Sequence, residues 1–193
     1  MSKKVKNQVL SDILEIEKIK SVNQPIDKAH GLPNECYTST EYLEYEKEKI
    51  FKDKWPVIGV GSSVPNPGDA KPYNLLGIPL IIIRGRDNKI RIFHNVCSHR
   101  GFKLLEEPCS LKNILRCPYH SWAYNFEGKL VATPHIGGLN IHESEKFDKT
   151  KSNLKEVRAK VWMDMIFVNI NNNEVEFKKY IKPLEDRWLK FIS

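Results

Sequence analysis

Four residues in two short stretches constrain this chain more than any other feature. Cys97 and His99 stand one residue apart in Asn95-Val-Cys-Ser-His-Arg-Gly. Cys117 and His120 stand two residues apart in Cys117-Pro-Tyr-His-Ser-Trp, and residues 100–116 separate the pairs. Each half is short enough to sit on one tight loop. Two such loops meeting tip to tip would present two thiolates and two imidazoles around one metal centre. Ligand type alone leaves structural zinc open, because zinc also accepts two Cys and two His. Ligand order is more informative. Zinc fingers usually pair Cys with Cys and His with His, whereas here each loop supplies one of each. That mixed order suits a two-iron cluster with thiolates on one iron and imidazoles on the other.

The surrounding pattern predicts mainly short strands. From Val57 onward, β-rich runs alternate with turn residues: Val57-Ile-Gly-Val, Lys71-Pro-Tyr-Asn-Leu-Leu, Leu80-Ile-Ile-Ile-Arg and Ile90-Arg-Ile-Phe-His. Gly85-Arg-Asp-Asn-Lys reads as a hairpin turn between the last two, and Glu127-Gly128 as another between Ala123-Tyr-Asn-Phe and Lys129-Leu-Val-Ala. Leu154 to Trp162 alternates, and Met165-Ile-Phe-Val-Asn-Ile reads as a buried strand. Helical spacing occurs outside this region. Val5 to Ile19 predicts an amphipathic helix ended by Asn23-Gln24-Pro25. Thr38 to Glu41 supplies capping candidates for a second helix over Tyr42–Lys52, with Tyr42, Tyr45, Ile50 and Phe51 inward. Trp55 reads as a core anchor, and Glu176 to Phe191 as a helix interrupted by Pro183. Together these predict an antiparallel all-β domain flanked by short helices.

The two Cys/His loops resemble those of the Rieske family. Cys-Ser-His-Arg-Gly with Cys-Pro-Tyr-His-Ser-Trp carries the resemblance. It implies a [2Fe–2S] cluster on Cys97, His99, Cys117 and His120, with six supporting residues around it. Arg100 either pairs with a carboxylate or is solvated, and Gly101 follows it in the motif. Pro118 shapes the second loop, Tyr119 and Ser121 hydrogen-bond near the cluster, and Trp122 packs over it. The chain departs from the respiratory branch of the family, where each loop carries an additional Cys and the two form a disulfide. The matching positions here are Phe102 and Tyr119, so that brace cannot form. A less constrained cluster implies a potential toward the low end of the roughly −150 to +300 mV Rieske range. Low potentials are typical of oxygenases and their ferredoxins.

The flanks look like the large (alpha) subunit of Rieske non-haem iron oxygenases of the ring-hydroxylating type. The stretches that match are Glu46-Lys-Glu-Lys-Ile-Phe-Lys-Asp-Lys-Trp, Pro67-Gly-Asp, Gly128-Lys-Leu-Val, Pro134 and Val161-Trp with Phe167-Val-Asn-Ile. This resemblance implies a Rieske-type antiparallel β-sandwich with two cluster-binding loops and short terminal helices. It implies an N-terminal helix and loop (1–36), a Rieske domain with its helical lead-in (37–170), and the start of a catalytic domain (171–193). The implied role is one-electron transfer, fed by a reductase or ferredoxin and delivered to a catalytic domain or subunit, in a homotrimer. The alternative is a stand-alone Rieske ferredoxin-like carrier, which would not need these flanks.

Oxygenases of this type also carry a mononuclear non-haem iron on two His and one carboxylate. His94 and His99 have tempting spacing, but residue 91 is Arg and His99 belongs to the first loop. His30, His135 and His142 lack partners at suitable spacing and read as surface or core histidines. The mononuclear iron is therefore expected only in a catalytic domain beyond this stretch, and this chain is not expected to hydroxylate a substrate alone.

Composition excludes several other classes. The net charge of +7 could suggest nucleic acid, but Lys alternates with Glu and Asp throughout, and no basic stripe with interleaved aromatics stands out. The longest apolar run, Ile78 to Ile83, is strand length, so no membrane span is expected. Met1-Ser-Lys-Lys-Val-Lys has positive charge without an apolar segment behind it, so no signal peptide is expected and the cytoplasm follows by default. Two of the four Cys lie in the loops; Cys36 and Cys109 read as reduced thiols.

Overall fold

A computed structural model describes residues 15–172, 176–189 and 191. The chain divides after Lys52 into two compact units.

In the first unit, helix α1 (Ile16–Val22) ends where Asn23 donates its N–H to Ile19 O. The part of the expected helix before residue 15 lies outside the described residues. Helix α2 (Glu35–Thr38) leads to α3 (Thr40–Glu46), whose Ser39 cap accepts the Tyr42 N–H at 3.1 Å. The chain then continues as a π-helical turn, Lys47–Lys52, instead of one regular helix. Tyr42 is buried and Phe51 half-buried as expected, but Tyr45 and Ile50 are exposed. The wider turn advances less around the axis per residue, which rotates Ile50 away from the Tyr42 face.

The second unit is antiparallel throughout. Strands β1 (Val57–Val60), β2 (Asp69–Leu75), β3 (Ile78–Arg84) and β4 (Ile90–His94) precede the first Cys/His loop. The two-residue strands β5 (Cys109–Ser110), β6 (Leu115–Arg116) and β7 (Ala123–Tyr124) follow, then β8 (Leu130–Ala132), β9 (Glu156–Trp162) and β10 (Met165–Asn169). Seven form one sheet in the order β1-β10-β9-β4-β3-β2-β5; β6-β7-β8 form the other. The run Leu80–Ile83 is almost wholly buried at every position, so both faces of β3 are covered. Gly128 closes the β7–β8 turn at φ +77°, and a Cβ there would meet the Phe93 ring at 2.4 Å. No side chain fits that approach.

A second apolar cluster forms where helix α4 (Phe177–Trp188) follows β10. Trp55, Phe167 and Ile181 are its buried members, with Phe177 and Leu184 packed against them. Pro183 lies within α4 and does not end it. It removes one backbone bond, while Phe177, Ile181 and Leu184 keep the helix seated on Trp55 and Phe167. Among the described residues, no helix is long and apolar enough to cross a membrane.

Candidate metal centre

The first loop leaves β4 at Asn95, and the second joins β6 to β7. Both close in the same way. In the first, the Cys97 N–H donates to Phe102 O (2.8 Å) and the Gly101 N–H to Cys97 O (2.9 Å). In the second, the Cys117 N–H donates to Trp122 O (2.8 Å) and the Ser121 N–H to Cys117 O (3.0 Å). Gly101 and Ser121 occupy equivalent left-handed positions, at φ +68° and +59°.

The loops bring the four predicted side chains together. Cys97 and Cys117 are each 2% exposed and belong to one core cluster with Ile81, Phe93, Trp122 and Tyr124. The His99 and His120 rings stand 4.7 Å apart, edge to face. Their Nδ1 atoms are the only buried side-chain nitrogens or oxygens without a hydrogen-bond partner among the described residues. Buried polar atoms are otherwise paired almost without exception. Two inward-facing imidazole nitrogens beside two buried thiols therefore fit a metal group that the rings would ligate. Among the described residues, no three His, Cys, Asp or Glu side chains gather tightly enough to share one metal ion. A two-iron cluster needs only two protein ligands per iron, whereas tetrahedral zinc would draw all four to one point.

Electrostatics agree with such a group. Burial pushes the Cys97 thiol up, while hydrogen bonds from Tyr124 and the His99 backbone oppose that shift. A buried thiolate is thus held when a cation compensates it. Burial first, then His120 and Arg100, push His99 down, favouring the neutral ring that a ligand must be.

The supporting residues sort unevenly. Trp122 stacks on His99 with centroids 4.5 Å apart and planes at 12°, and Phe147 packs edge-on against Trp122. The Tyr119 ring lies 3.7 Å from that of His120. Phe102 and Tyr119 face each other at 5.4 Å, an aromatic contact at the positions where the resemblance places a disulfide in the respiratory branch. Such a contact is worth about 0.5–1.5 kcal/mol against about 2–4 for a disulfide. Pro118 is exposed. Arg100 is also exposed, with no carboxylate in ion-pair reach among the described residues. The Ser121 backbone oxygen accepts from Arg116 Nη1 at 3.3 Å.

Two residues that hold the site escaped the sequence reading. Tyr124 is fully buried, and its hydroxyl lies 3.3 Å from Cys97 Sγ while accepting the Ser98 N–H at 3.1 Å. A metal-bound thiolate has no proton to give, so with the cluster in place the hydroxyl is the donor to sulfur. Asn95 is buried beneath the first loop; its Oδ1 accepts the Leu104 and Leu105 N–H groups at 2.9 Å, and its Nδ2 donates to Leu105 O. In sequence Tyr124 is one more apolar strand residue. The only signal was that a polar-tipped tyrosine in a buried strand needs a partner.

A pocket of about 550 Å³ opens at the histidine edge, lined by His99, His120, Ser121, Trp122, His135 and neighbours. His94 lies away from it at the end of β4, paired across to Leu80, and burial pushes its imidazole down.

An antiparallel β unit whose two loops converge in this way defines the Rieske class, and residues 54–143 match the family model of the Rieske [2Fe-2S] domain. Residues 54–143 therefore form a domain of that family, the kind that holds a [2Fe–2S] cluster. More particularly, the chain is homologous to the alpha (oxygenase) subunits of Rieske oxygenases. The carnitine monooxygenase oxygenase subunit of Acinetobacter pittii is 35% identical over 147 residues, covering 76% of this chain and 38% of that protein. The crystal structure of the quaternary ammonium Rieske monooxygenase CntA with L-carnitine superposes at a TM-score of 0.71 and 31% identity, over 82% of this chain and 44% of that one. A naphthalene 1,2-dioxygenase superposes at 0.68 and 27% identity, over 79% of this chain and 34% of that one. The chain thus spans about two fifths of the length of these monooxygenase relatives.

Proposed function

We propose that this chain is the electron-transfer part of a Rieske non-haem iron oxygenase, in which Cys97 and Cys117 hold one iron and His99 and His120 hold the other through Nδ1. The observation that carries the reading is the pair of buried, unpartnered imidazole Nδ1 atoms beside two buried thiols. Bound there, a [2Fe–2S] cluster accepts and passes on one electron at a time.

The chain's own residues do the rest. The core removes both thiolates from water, and Tyr124 donates a proton toward Cys97. Trp122 and Tyr119 pack on His99 and His120 and fix their orientation. The outer edges of these two rings border the pocket, so electrons can enter and leave there without crossing the core.

A reductase or ferredoxin is the proposed donor. The proposed acceptor is the mononuclear iron of a catalytic domain, reached from residues 37–170 across a subunit boundary in a homotrimer, with residues 171–193 leading into that domain. Inter-subunit electron transfer is named for one structural relative, a quaternary ammonium Rieske monooxygenase, which supports this route. A reducing compartment, the cytoplasm, belongs to the same proposal and is supported by Cys36 and Cys109, which stand as free thiols.

Metal analysis, a visible spectrum and low-temperature EPR of the dithionite-reduced protein test the reading. A red-brown protein with two irons and two labile sulfides per chain, and an average g below the free-electron value, is expected. A colourless, EPR-silent protein containing one zinc would overturn it.

A further inference from the structure

The loop that walls the far side of the histidine pocket is held by two imidazoles in one protonation state. His135 Nδ1 accepts the Asn140 N–H at 2.9 Å, and His142 Nδ1 accepts the His135 N–H at 3.2 Å. The two rings stand 5.1 Å apart, edge to face. A nitrogen that accepts carries no proton, so both rings are neutral with the proton on Nε2. This tautomer also excludes the pair as metal ligands through Nε2.

The rest of the loop adds little anchorage. Gly138 N–H donates to His135 O, Ile141 N–H to Gly138 O and Gly137 N–H to Ile141 O, all within the loop. Thr133 Oγ1 reaches back to His142 O at 3.3 Å. Leu139 and Ile141 are exposed, while Ile136 packs against the core. His135 and Asn140 both hold left-handed φ, near +62° and +61°. Strained residues of this kind persist only where contacts over-determine them.

We propose that His135 and His142 form a latch that keeps this loop closed against the histidine edge while both rings are neutral, and that opens when either is protonated. Protonation places an N–H on Nδ1, directly facing the backbone N–H it had accepted. Two donors then oppose each other, and the contact is lost. The charged and titratable groups around the pair are His99, His120 and Tyr119 across the pocket, and Glu143 next in the chain, ion-paired with Lys149. Among the described residues, no carboxylate bonds to either imidazole, so nothing local offers the protonated rings a replacement acceptor. Because Pro134, His135 and Ile136 line the pocket with His99 and His120, opening would change access to the edge assigned to electron exchange. That functional consequence rests on the proposed function; the latch itself does not.

Hydrogen–deuterium exchange of the cluster-loaded protein, read by mass spectrometry and referred to intrinsic rates, tests the latch. Protection of the segment 133–142 is expected to fall at least tenfold from mildly alkaline to mildly acidic solution, roughly pH 8 to pH 5. The β3–β4 hairpin in the same samples should stay unchanged. The double variant His135→Asn/His142→Asn has no imidazole at either latch position, and Asn tolerates the left-handed φ at 135, so its loop protection should be independent of pH. Unchanged wild-type protection would overturn the proposal, as would a loss shared by the hairpin or a pH dependence that survives in the double variant. None of these readouts uses electron transfer, so a failure of the latch is distinguishable from a failure of the proposed function.

Discussion

The two Cys/His loops close with the same pair of backbone hydrogen bonds, yet they are supported in different ways. The first is tied down by distant chain: Asn95 binds Leu104 and Leu105 beneath it, Ser98 Oγ donates to Asn153 O at 3.0 Å, and Tyr124 reaches Cys97. The second is a local excursion between two-residue strands, closed by the Arg116–Ala123 pair and stacked on its own Tyr119 and Trp122. One loop is positioned by the fold, the other by its own sequence. Equivalent backbone geometry therefore does not imply equivalent tolerance to change.

Removing a ligand should erase the difference, because either loop without its metal exposes the same vacancy in one core. Cys97→Ala and His120→Ala are each expected to cut bound iron from two per chain to near zero and to abolish the visible colour, as metal binding and folding of such sites are coupled. Metal analysis after purification checks this, and a fully coloured variant would refute the ligand assignment. Asn95→Ala should reveal the asymmetry. It leaves two backbone N–H groups and one carbonyl without their partner, for a loss on the order of 3 kcal/mol. Denaturant unfolding of the loaded protein measures it. Because no residue of the second loop has a comparable buried tie among the described residues, a loss below about 1 kcal/mol would mean the first loop is as self-sufficient as the second.

Tyr124→Phe separates the two cysteines by chemistry instead of stability. Burial, above all, pushes the Tyr124 hydroxyl up, so it keeps its proton and donates it to sulfur. A donor to a cluster sulfur stabilises the electron-richer reduced state. Its removal should lower the midpoint potential by tens of millivolts, a one-electron couple moving about 59 mV per tenfold change in relative affinity. Cyclic voltammetry or a dye-mediated titration reads this. An unchanged potential would show that the 3.3 Å contact carries no charge to Cys97.

The ligand set and the β architecture were legible because both rest on short-range signals. The spacing of Cys97, His99, Cys117 and His120 fixes what two tight loops can hold, and alternation with hairpin turns marks β3, β4, β7 and β8. Loop supports were not legible in the same way. Tyr124 and Asn95 act on residues 27 and 9–10 positions away, and no periodicity encodes which buried polar atom meets which loop. The intact helix around Pro183 was hidden for a related reason, since its packing on Trp55 and Phe167 outweighs local propensity, whereas no sequence signal marks the π-helical turn at Lys47–Lys52. His135 looked like an unpartnered surface histidine because its contacts to Asn140 and His142 appear only once the loop folds back.

The finest test of the comparison uses the one position where the loops share a backbone conformation but not a residue. Gly101 and Ser121 both sit at left-handed φ. A Cβ at Gly101 would meet nothing within 4 Å, so Gly101→Ala probes backbone strain alone and should destabilise by about 1–2 kcal/mol. Ser121 already bears that strain, and among the described residues its hydroxyl makes no hydrogen bond whose loss would offset the relief. Ser121→Gly should therefore stabilise the loaded protein, by less than about 1 kcal/mol because glycine also gains freedom in the unfolded chain. Thermal unfolding of both variants, side by side, decides the matter. Opposite signs would establish that the loops share one strained turn. A destabilised Ser121→Gly would show instead that the second loop uses the serine side chain to hold its shape, and that the two turns match only in outline.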